Sequence, residues 1–288
     1  MCLVGAPNVG KSTIVNTIVG KKISIVSDKP QTTRHRINVI WNLPDAQVVF
    51  VDTPGLHKPV HKLGRYLVKI AVNSLEGNDL LLFVTSTEGL RKSDKIVANR
   101  IENTSMPFIG VVNKCDLKRE RTIKEIEDMF SSMKKCVDTQ RISAIRRTGI
   151  DELTDKILKH LPESPAYYPK DVFTDRPLIF MISEIVREKI YYFTRQELPY
   201  SSAVMIDHME ETPKLMKIWA TILVERDSQK PIILGRGGKM IKKIGTLARE
   251  DIERLIDKHV FLSLHVKVKS NWTESDRTLN ELFEGEMR

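Results

Sequence analysis

The chain has 288 residues, of which 41% are apolar and 29% charged, and it carries a formal net charge of +9. The length suits two domains and the composition fits a soluble globular protein, since no apolar run approaches the roughly 18 residues of a membrane-spanning helix. The start leads directly into a strand pattern without a secretory signal, and the cysteines Cys2, Cys115 and Cys136 form no C-x-x-C pair. We therefore expect a cytoplasmic protein without a disulfide framework or a zinc site.

The positive charge is concentrated in two parts of the chain. Residues 1–160 hold 26 Lys/Arg against 17 Asp/Glu, residues 161–213 hold 5 against 9, and residues 214–271 hold 13 against 6. The basic segment near the C-terminus favours a polyanionic partner such as nucleic acid. Ordinary solvated surface is the alternative, and charge alone does not separate the two.

The first 160 residues alternate short apolar runs with amphipathic stretches. Buried strands separated by helices predict an α/β fold with a mainly parallel sheet covered on both faces. The predicted strands are Cys2–Gly5, Ile37–Trp41, Gln47–Asp52, Leu80–Thr85, Phe108–Asn113 and Arg141–Ser143, and the predicted helices are Lys11–Val19, Leu63–Leu75, Ser93–Asn103, Thr122–Cys136 and Gly149–His160.

A different pattern follows these elements. Residues 161–175 include three prolines within eight residues, which excludes a continuing helix and predicts a semi-rigid linker. Beyond the linker, the periodicity predicts a second domain with helices over Pro177–Glu197 and Met240–Lys258, strands near Ala203–Glu210 and Leu215–Arg226, and a last alternating strand from Leu262 to Lys269.

The most informative motif is Gly5–Ser12, with the sequence GAPNVGKS, between the first strand and the first helix. Its glycines allow a tight turn whose N–H groups point at an anion, and the N-terminus of the following helix favours the same anion. Lys11 is expected to reach the β- and γ-phosphates, and the Ser12 hydroxyl to hold Mg²⁺. The loop predicts a nucleoside triphosphate and leaves the base open.

Two further motifs end apolar strands. Asp52-Thr53-Pro54-Gly55 places a carboxylate for Mg²⁺, and the Gly55 N–H can contact a γ-phosphate that is lost after hydrolysis. Asn113-Lys114-Cys115-Asp116 places a carboxylate that can accept hydrogen bonds from guanine N1–H and the 2-amino group. Adenine offers neither donor, so GTP rather than ATP is predicted. Ser143-Ala144 is expected to present a backbone N–H to guanine O6.

The residues of hydrolysis are less clearly marked. Thr33 is expected to complete the Mg²⁺ shell, whereas Leu56 stands where many switch GTPases place a Gln that orients the attacking water. His57 is either a substitute base or a bystander; backbone groups, water and a monovalent cation are the other candidates. We expect K⁺ beside the Asn8 carbonyl oxygen to accelerate hydrolysis. The expected catalytic residues are Lys11, Thr33, Gly55 and Asn8, and the expected metal ligands are Ser12, Thr33 and Asp52.

A second glycine loop, Gly235-Arg236-Gly237-Gly238, precedes a helix in the basic segment. Glycines there let a sugar-phosphate backbone approach closely, and nearby cations can pair with phosphates. A glycine turn beside solvated lysines is the alternative. The residues expected at the nucleotide are Gly5, Ala6, Pro7, Asn8, Val9, Gly10, Lys11, Ser12, Thr13, Asp52, Thr53, Pro54, Gly55, Asn113, Lys114, Asp116, Ser143 and Ala144; those expected at RNA are Gly235, Arg236, Gly237, Gly238, Lys239, Lys242 and Lys243.

Together these motifs resemble the Era family of bacterial ribosome-associated GTPases. The resemblance also rests on Pro30–Arg36, Leu56-His57, Thr174–Pro177, Ser183–Lys189 and Glu197–Tyr200, and it covers nearly the whole chain. It implies a P-loop GTPase domain over 1–160, a linker over 161–175, and a smaller α+β domain of the type II KH class over 176–288 that ends in a helical tail.

The resemblance also implies a function. It implies Mg²⁺-dependent conversion of GTP to GDP, binding near the 3′ end of 16S ribosomal RNA, and assistance to rRNA maturation and 30S subunit assembly. It further implies peripheral contact at the cytoplasmic face of the inner membrane. We expect a monomer in which the GTP state of residues 28–75 switches the presentation of the RNA module.

The sequence leaves two other classes of function open. One is a non-catalytic binding module in which GTP is structural, which multiple-turnover phosphate release would exclude. The other is a tRNA-modification or tandem-domain GTPase, against which a single GTPase domain and a KH-like C-terminus speak.

Overall fold

The computed structural model describes residues 1–117 and 119–283. Among these, residues 1–60 and 64–175 form one compact unit, and residues 176–283 with residues 61–63 form another. The end of the expected C-terminal tail, residues 284–288, lies outside the described residues. The domain limits given above remain a prediction.

A six-stranded sheet forms the centre of the first unit. Its order is β2-β3-β1-β4-β5-β6, and every neighbouring pair is parallel except β2 and β3. The carboxyl ends of the parallel strands therefore meet at one edge, which is where ligands bind in open α/β sheets. The strands are β1 Cys2–Gly5, β2 Ile37–Asn42, β3 Gln47–Asp52, β4 Leu81–Ser86, β5 Phe108–Asn113 and β6 Cys136–Arg141.

In the described part of the chain, five α-helices pack their apolar sides on this sheet. Phe83, Phe108 and Phe130 are fully buried, and their rings meet edge to face with centroids 5.1–6.1 Å apart. The predicted α/β class is confirmed. The helices are α1 Lys11–Val19, α2 Lys62–Asn73, α3 Lys92–Glu102, α4 Glu120–Ser132 and α5 Ile150–His160.

The last strand of this sheet was predicted wrongly. It spans Cys136–Arg141 rather than Arg141–Ser143, and α4 ends at Ser132 rather than at Cys136. The strand lies at the sheet edge with half-buried or exposed residues throughout, so no apolar run marks it in the sequence. The Ser143-Ala144 pair therefore follows the strand by a short segment instead of ending it.

The linker is ordered along the outer edge of β2. Ile40 N–H donates to the Phe173 carbonyl at 2.9 Å, and Thr174 pairs with Val39 in an antiparallel bridge. The Asn42 side chain donates to the Val172 carbonyl at 2.9 Å. The end of the linker thus continues the sheet of the first unit.

The second unit contains a three-stranded sheet with helices on one face. Its order is β7-β8-β9, with β7 antiparallel and β9 parallel to β8. Ile182, Ile218 and Ile244 are fully buried between sheet and helices. The elements are α6 Leu178–Phe193, β7 Ala203–Glu211, β8 Leu215–Val224, α7 Lys230–Leu234, α8 Lys239–Ile256, β9 His259–Val268 and α9 Asp276–Leu282.

Several bounds of this unit differ from the prediction, and the last strand begins at His259 instead of Leu262. The first helix stops at Phe193 instead of Glu197, and a short helix, α7, precedes the glycine loop where no helix was predicted. Pro231 in its first turn and Gly235 after its end are the sequence signals of that helix. Among the described residues, no helix has the length and apolarity needed to cross a membrane.

Candidate functional site

The loop Gly5–Ser12 joins β1 to α1 in a turn that only glycine fits at its tightest point. Gly10 has a φ of 98°, and a Cβ there would lie 2.3 Å from the Asn113 side-chain nitrogen. A Cβ on Gly55 would lie 2.5 Å from the Pro7 nitrogen. The phosphate-binding loop therefore packs directly against the two other nucleotide motifs, leaving no space for a methyl group.

Lys11 is folded back on this loop. It is only 6% exposed, and its ammonium donates to the carbonyls of Gly5 at 3.2 Å and Ala6 at 3.1 Å. Burial lowers the pKa of Lys11 to about 8, and the nearby Asp52 carboxylate opposes that change. Within residues 1–117 and 119–283, the positive charge is thus held at the loop without an ion-pair partner in hydrogen-bond contact.

Three oxygen-bearing side chains converge next to Lys11. Ser12 Oγ donates to Asp52 Oδ2 at 2.6 Å and lies 2.8 Å from Thr33 Oγ1. Asp52 is fully buried, burial raises its pKa, and its Oδ1 has no hydrogen-bond partner among the described residues. Hydroxyl and carboxylate oxygens are ligands of Mg²⁺, and an unpartnered buried carboxylate oxygen fits a cation. The structure brings all three expected metal ligands together.

Asn113 links three loops at the guanine side. Its Nδ2 donates to the Val9 carbonyl at 2.9 Å, while its Oδ1 accepts from the N–H groups of Lys114 at 2.8 Å and Ala144 at 3.1 Å. Asp116 Oδ1 accepts from the Ser143 hydroxyl at 2.6 Å, which orients the carboxylate. Asn113 therefore ties three loops of the candidate site together through hydrogen bonds to protein groups, and Ser143 holds the Asp116 carboxylate.

The Ser143-Ala144 pair is engaged within the protein. The Ser143 N–H donates to the Thr148 carbonyl at 3.0 Å, and the Ala144 N–H donates to Asn113. The expected contact with guanine O6 therefore requires the Ala144 N–H to be shared or released.

His57 bridges the segment that carries Gln31 and the segment that carries Gly55. Its Nδ1 lies 2.9 Å from the Gly55 carbonyl and its Nε2 lies 3.2 Å from the Gln31 amide nitrogen. A carbonyl only accepts, so Nδ1 carries the proton and Nε2 accepts from Gln31. The lone pair that a base would use is thus occupied, which favours the bystander interpretation of His57. Leu56 is buried at 1% exposure.

Sequence reasoning missed a polar chain in the loop between β4 and α3. Glu88 accepts from Lys114 Nζ at 3.1 Å and also pairs with Arg91, whose Nη1 donates to the Pro7 carbonyl at 3.3 Å. The chain connects the guanine motif to the phosphate loop. No motif marks Glu88 or Arg91. Their only sequence signal is that they follow β4, which lies in the sheet between the motif-bearing strands β1 and β5.

The second glycine loop is open where the first is closed. Gly237 and Gly238 have φ values of 60° and 75°, and a Cβ on either would meet no atom within 4 Å. The cations predicted around this loop, Arg236, Lys239, Lys242 and Lys243, are all exposed. Lys243 additionally lies 4.5 Å from the centroid of the Phe193 ring.

A groove of about 390 Å³ runs between α8 and β9 next to this loop. Sequence reasoning did not find it, because its two walls come from elements far apart along the chain. A helical glycine, Gly245, lies in one wall, where a Cβ would be in ordinary van der Waals contact with Leu264 at 3.5 Å. The lining residues are Ile241, Lys242, Gly245, Thr246, Arg249 and Phe261 to Leu264.

Family models match both units. Residues 1–114 match the family described as 50S ribosome-binding GTPase, and residues 197–273 match the KH domain. Both matches agree with the P-loop GTPase fold of the first unit and with the KH class of the second.

Characterised relatives match nearly the whole chain. GTPase Era of Thermotoga petrophila is 50% identical over 96% of this chain and 93% of its own length. GTPase Era of Clostridium kluyveri is 44% identical over 97% of this chain and 96% of its own length.

Solved structures match equally completely. Era in complex with MgGDPNP and nucleotides 1506–1542 of 16S ribosomal RNA is 38% identical, with a TM-score of 0.94 over 100% of this chain and 98% of that chain. A single-residue variant of Aquifex aeolicus Era bound to GDP.AlF4⁻ has the same identity, TM-score and coverage. With two motif-bearing units and relatives of this similarity over almost its full length, the chain belongs to the Era family of GTPases.

Proposed function

We propose that this GTPase binds 16S ribosomal RNA near its 3′ end and assists maturation of that RNA and assembly of the 30S subunit. The observation that carries the proposal is the loop 235–238, which combines open space at two glycines with four exposed cations in a KH domain. A KH loop of this kind clamps about four nucleotides of backbone. The matched Era structure with a 16S rRNA fragment supports the choice of RNA.

The nucleotide site supports GTP hydrolysis with Mg²⁺ as cofactor. We infer that Ser12, Thr33 and Asp52 hold the ion, which would neutralise charge on the β- and γ-phosphates. We expect Lys11 to add a second positive charge and the Gly55 N–H to contact the γ-phosphate. Asp116, oriented by Ser143, selects guanine.

We further propose that K⁺ beside Asn8 accelerates hydrolysis. The Asn8 amide nitrogen donates to the Asp28 carbonyl at 2.7 Å, so the Oδ1 atom is the part of the amide left for a cation. Leu56 offers no polar group for the attacking water, so stabilisation of developing charge must come from elsewhere.

Turnover in K⁺ and Na⁺ buffers tests this role. We expect K⁺ to raise the rate at least about tenfold and Asn8→Ala to remove the difference, because fixed charge at the transition state is worth on the order of 10²-fold or more. GDP affinity of Asn8→Ala serves as the control and should stay within a few-fold. Equal wild-type rates in the two salts would overturn the proposal.

We propose that the nucleotide state controls presentation of the RNA module through Thr33. Its contact with Ser12 ties the segment between α1 and β2 to the phosphate loop, and such a contact depends on the ligand in switch proteins. We also propose a cytoplasmic location, which the three free cysteines favour, and a monomer with peripheral contact at the inner membrane, which only the family resemblance supports.

Crosslinking of RNA to the full chain in cells tests the function. We expect 3′-terminal fragments of 16S rRNA to dominate the sequenced RNA, and a non-hydrolysable GTP analogue to change their yield with the purified protein. Multiple-turnover phosphate release should accompany GTP addition. Recovery of RNA without enrichment of that region would overturn the assignment of substrate.

A further inference from the structure

The outer face of the β7-β8-β9 sheet carries a row of aromatic rings. Side chains alternate between the faces of a strand, and Ile218 and Ala220 point to the helices, so Trp219 lies on the outer face. His208 is directly opposite Trp219 on β7, and Phe261 on β9 is diagonal to it. The His208 and Trp219 ring centroids are 5.3 Å apart, and those of Trp219 and Phe261 are 6.1 Å apart.

These rings are accessible. The side chain of His208 is 60% exposed and Phe261 is 50% exposed, while Trp219 is half-buried between them. Single exposed apolar residues are ordinary, but three adjacent rings form a continuous surface that the core does not require.

The surroundings of the rings favour nucleic acid over an apolar protein partner. Lys217 borders the row on the same face, and alternation places His265 and Lys267 on that face of β9. Two acidic residues also border this face: Glu210 is paired with Lys217 and His208, and Asp207 accepts from the Thr221 hydroxyl at 2.8 Å. Stacked rings bordered by cations are typical of single-stranded nucleic acid sites, where bases stack on aromatic side chains and cations follow the phosphates.

The row is continuous with the groove between α8 and β9. Phe261 belongs to both, because β9 is the edge strand and its side chain borders the groove. Lys242 and Arg249 stand on the other side of that groove. An RNA strand in the groove therefore reaches the outer face by crossing a single strand, a distance of about 5 Å.

We propose that this outer face is a second RNA contact, on which bases of a single strand leaving the groove stack against Phe261, Trp219 and His208. The inference rests on the proposed RNA-binding function and extends it from the glycine loop to the opposite side of the KH sheet. It predicts that affinity depends on RNA length beyond the nucleotides clamped by the loop.

The test compares the wild-type full chain with a double variant that carries both His208→Ala and Trp219→Leu. Both residues lie off the groove, and the exposed Tyr192→Ala on α6 is a matched control. The probes are 3′-end 16S rRNA oligonucleotides of about five nucleotides, near what a KH loop clamps, and about twelve nucleotides. Affinities are measured by fluorescence anisotropy, and thermal unfolding confirms that each variant is folded.

We expect the double variant to bind the short probe as the wild type does and the long probe at least about 10-fold more weakly, since base stacking is sequence-tolerant and substantial. Tyr192→Ala should bind both normally. The difference in tryptophan fluorescence between the wild type and Trp219→Leu is the emission of Trp219. The long probe should quench this emission, and the short probe should not. Unchanged affinity of the double variant for both probes would overturn the proposal and leave the face to a protein partner.

Failure of the proposed function has a different signature. In that case the wild type would bind neither probe, or Gly237→Asp with Gly238→Asp would leave the short probe bound as before. The two ideas are therefore separated within one set of measurements.

Discussion

The two glycine loops of this chain are built on opposite principles. Around Gly10 and Gly55 the protein fills the space itself, and a Cβ would collide with Asn113 or Pro7 at 2.3–2.5 Å. Around Gly237 and Gly238 a Cβ would meet nothing within 4 Å. The first pair of glycines is required by packing, whereas the second pair keeps a surface clear.

The polar groups divide in the same way. Asn113, Asp116 and Ser12 are each bonded to other protein groups, so the nucleotide site is oriented in advance. The cations near Gly237 are exposed and gain their partners from a ligand. We infer that nucleotide binding depends on individual hydrogen-bonding atoms. RNA binding depends instead on open space at Gly237 and Gly238 and on the total positive charge around them.

Asp116→Asn is the sharpest test of dependence on single atoms. Replacing one carboxylate oxygen by an amide nitrogen places a donor opposite the guanine 2-amino group. The charge-assisted hydrogen bonds that are lost contribute about 4 kcal/mol together, so GDP affinity should fall on the order of 1000-fold. Xanthine carries a carbonyl at that position, so the variant should prefer xanthosine diphosphate. Calorimetry measures the affinities for GDP and for xanthosine diphosphate, and Asp128→Asn at an exposed position is the control.

Retained guanine preference in Asp116→Asn would show that this carboxylate does not read the base.

The double substitution Gly237→Asp with Gly238→Asp tests whether RNA binding needs the open space at these two glycines. Two carboxylates in the open space should repel phosphates and lower RNA affinity at least about 100-fold, with unchanged GTP affinity. Gly77→Asp is the matched control, because Gly77 also has a positive φ of 72° and no atom within 4 Å of its Cβ position. RNA affinity equal to that of the control would contradict the clamp.

Lys11 makes nucleotide binding sensitive to pH. In the free protein the pKa of Lys11 is about 8, and bound phosphates stabilise the charged form, so binding takes up a proton. GDP affinity should be constant below pH 7 and fall as pH rises through 8, approaching a tenfold loss per unit.

Calorimetry at pH 8 in buffers of different ionisation enthalpy should show an uptake of about half a proton, which Lys11→Met should abolish. Measurements stay below the pH at which guanine N1–H ionises. A wild-type affinity independent of pH between 7 and 8.5 would contradict the lowered pKa.

The motifs that begin at Gly5, Asp52 and Asn113 were predictable because each lies at the end of a buried strand, and parallel strands bring their ends together. Ser12, Thr33 and Asp52 meet as expected although Asp52 is 40 residues from Ser12. The role of Asn113 as a tie to Val9 was not predictable, because it depends on loop positions that only packing determines.

The remaining differences have similar causes. β6 was missed because its residues are half-exposed and polar, so its pairing with β5 rather than its own pattern creates the strand. The ring row depends on a register shift between Ile206 and His208, which places His208 opposite Trp219. The local periodicity of a sequence does not predict the register between strands that are far apart along the chain.

The attachment of residues 172–174 to β2 has a practical consequence for dissecting the molecule. An exposed strand border is a template for association with other chains, and here the chain's own continuation occupies it. Truncation after His160 would uncover that border and invite self-association, whereas truncation after Asp175 would keep it covered. Fragments intended for studying the nucleotide-binding unit in isolation should therefore end at the later position.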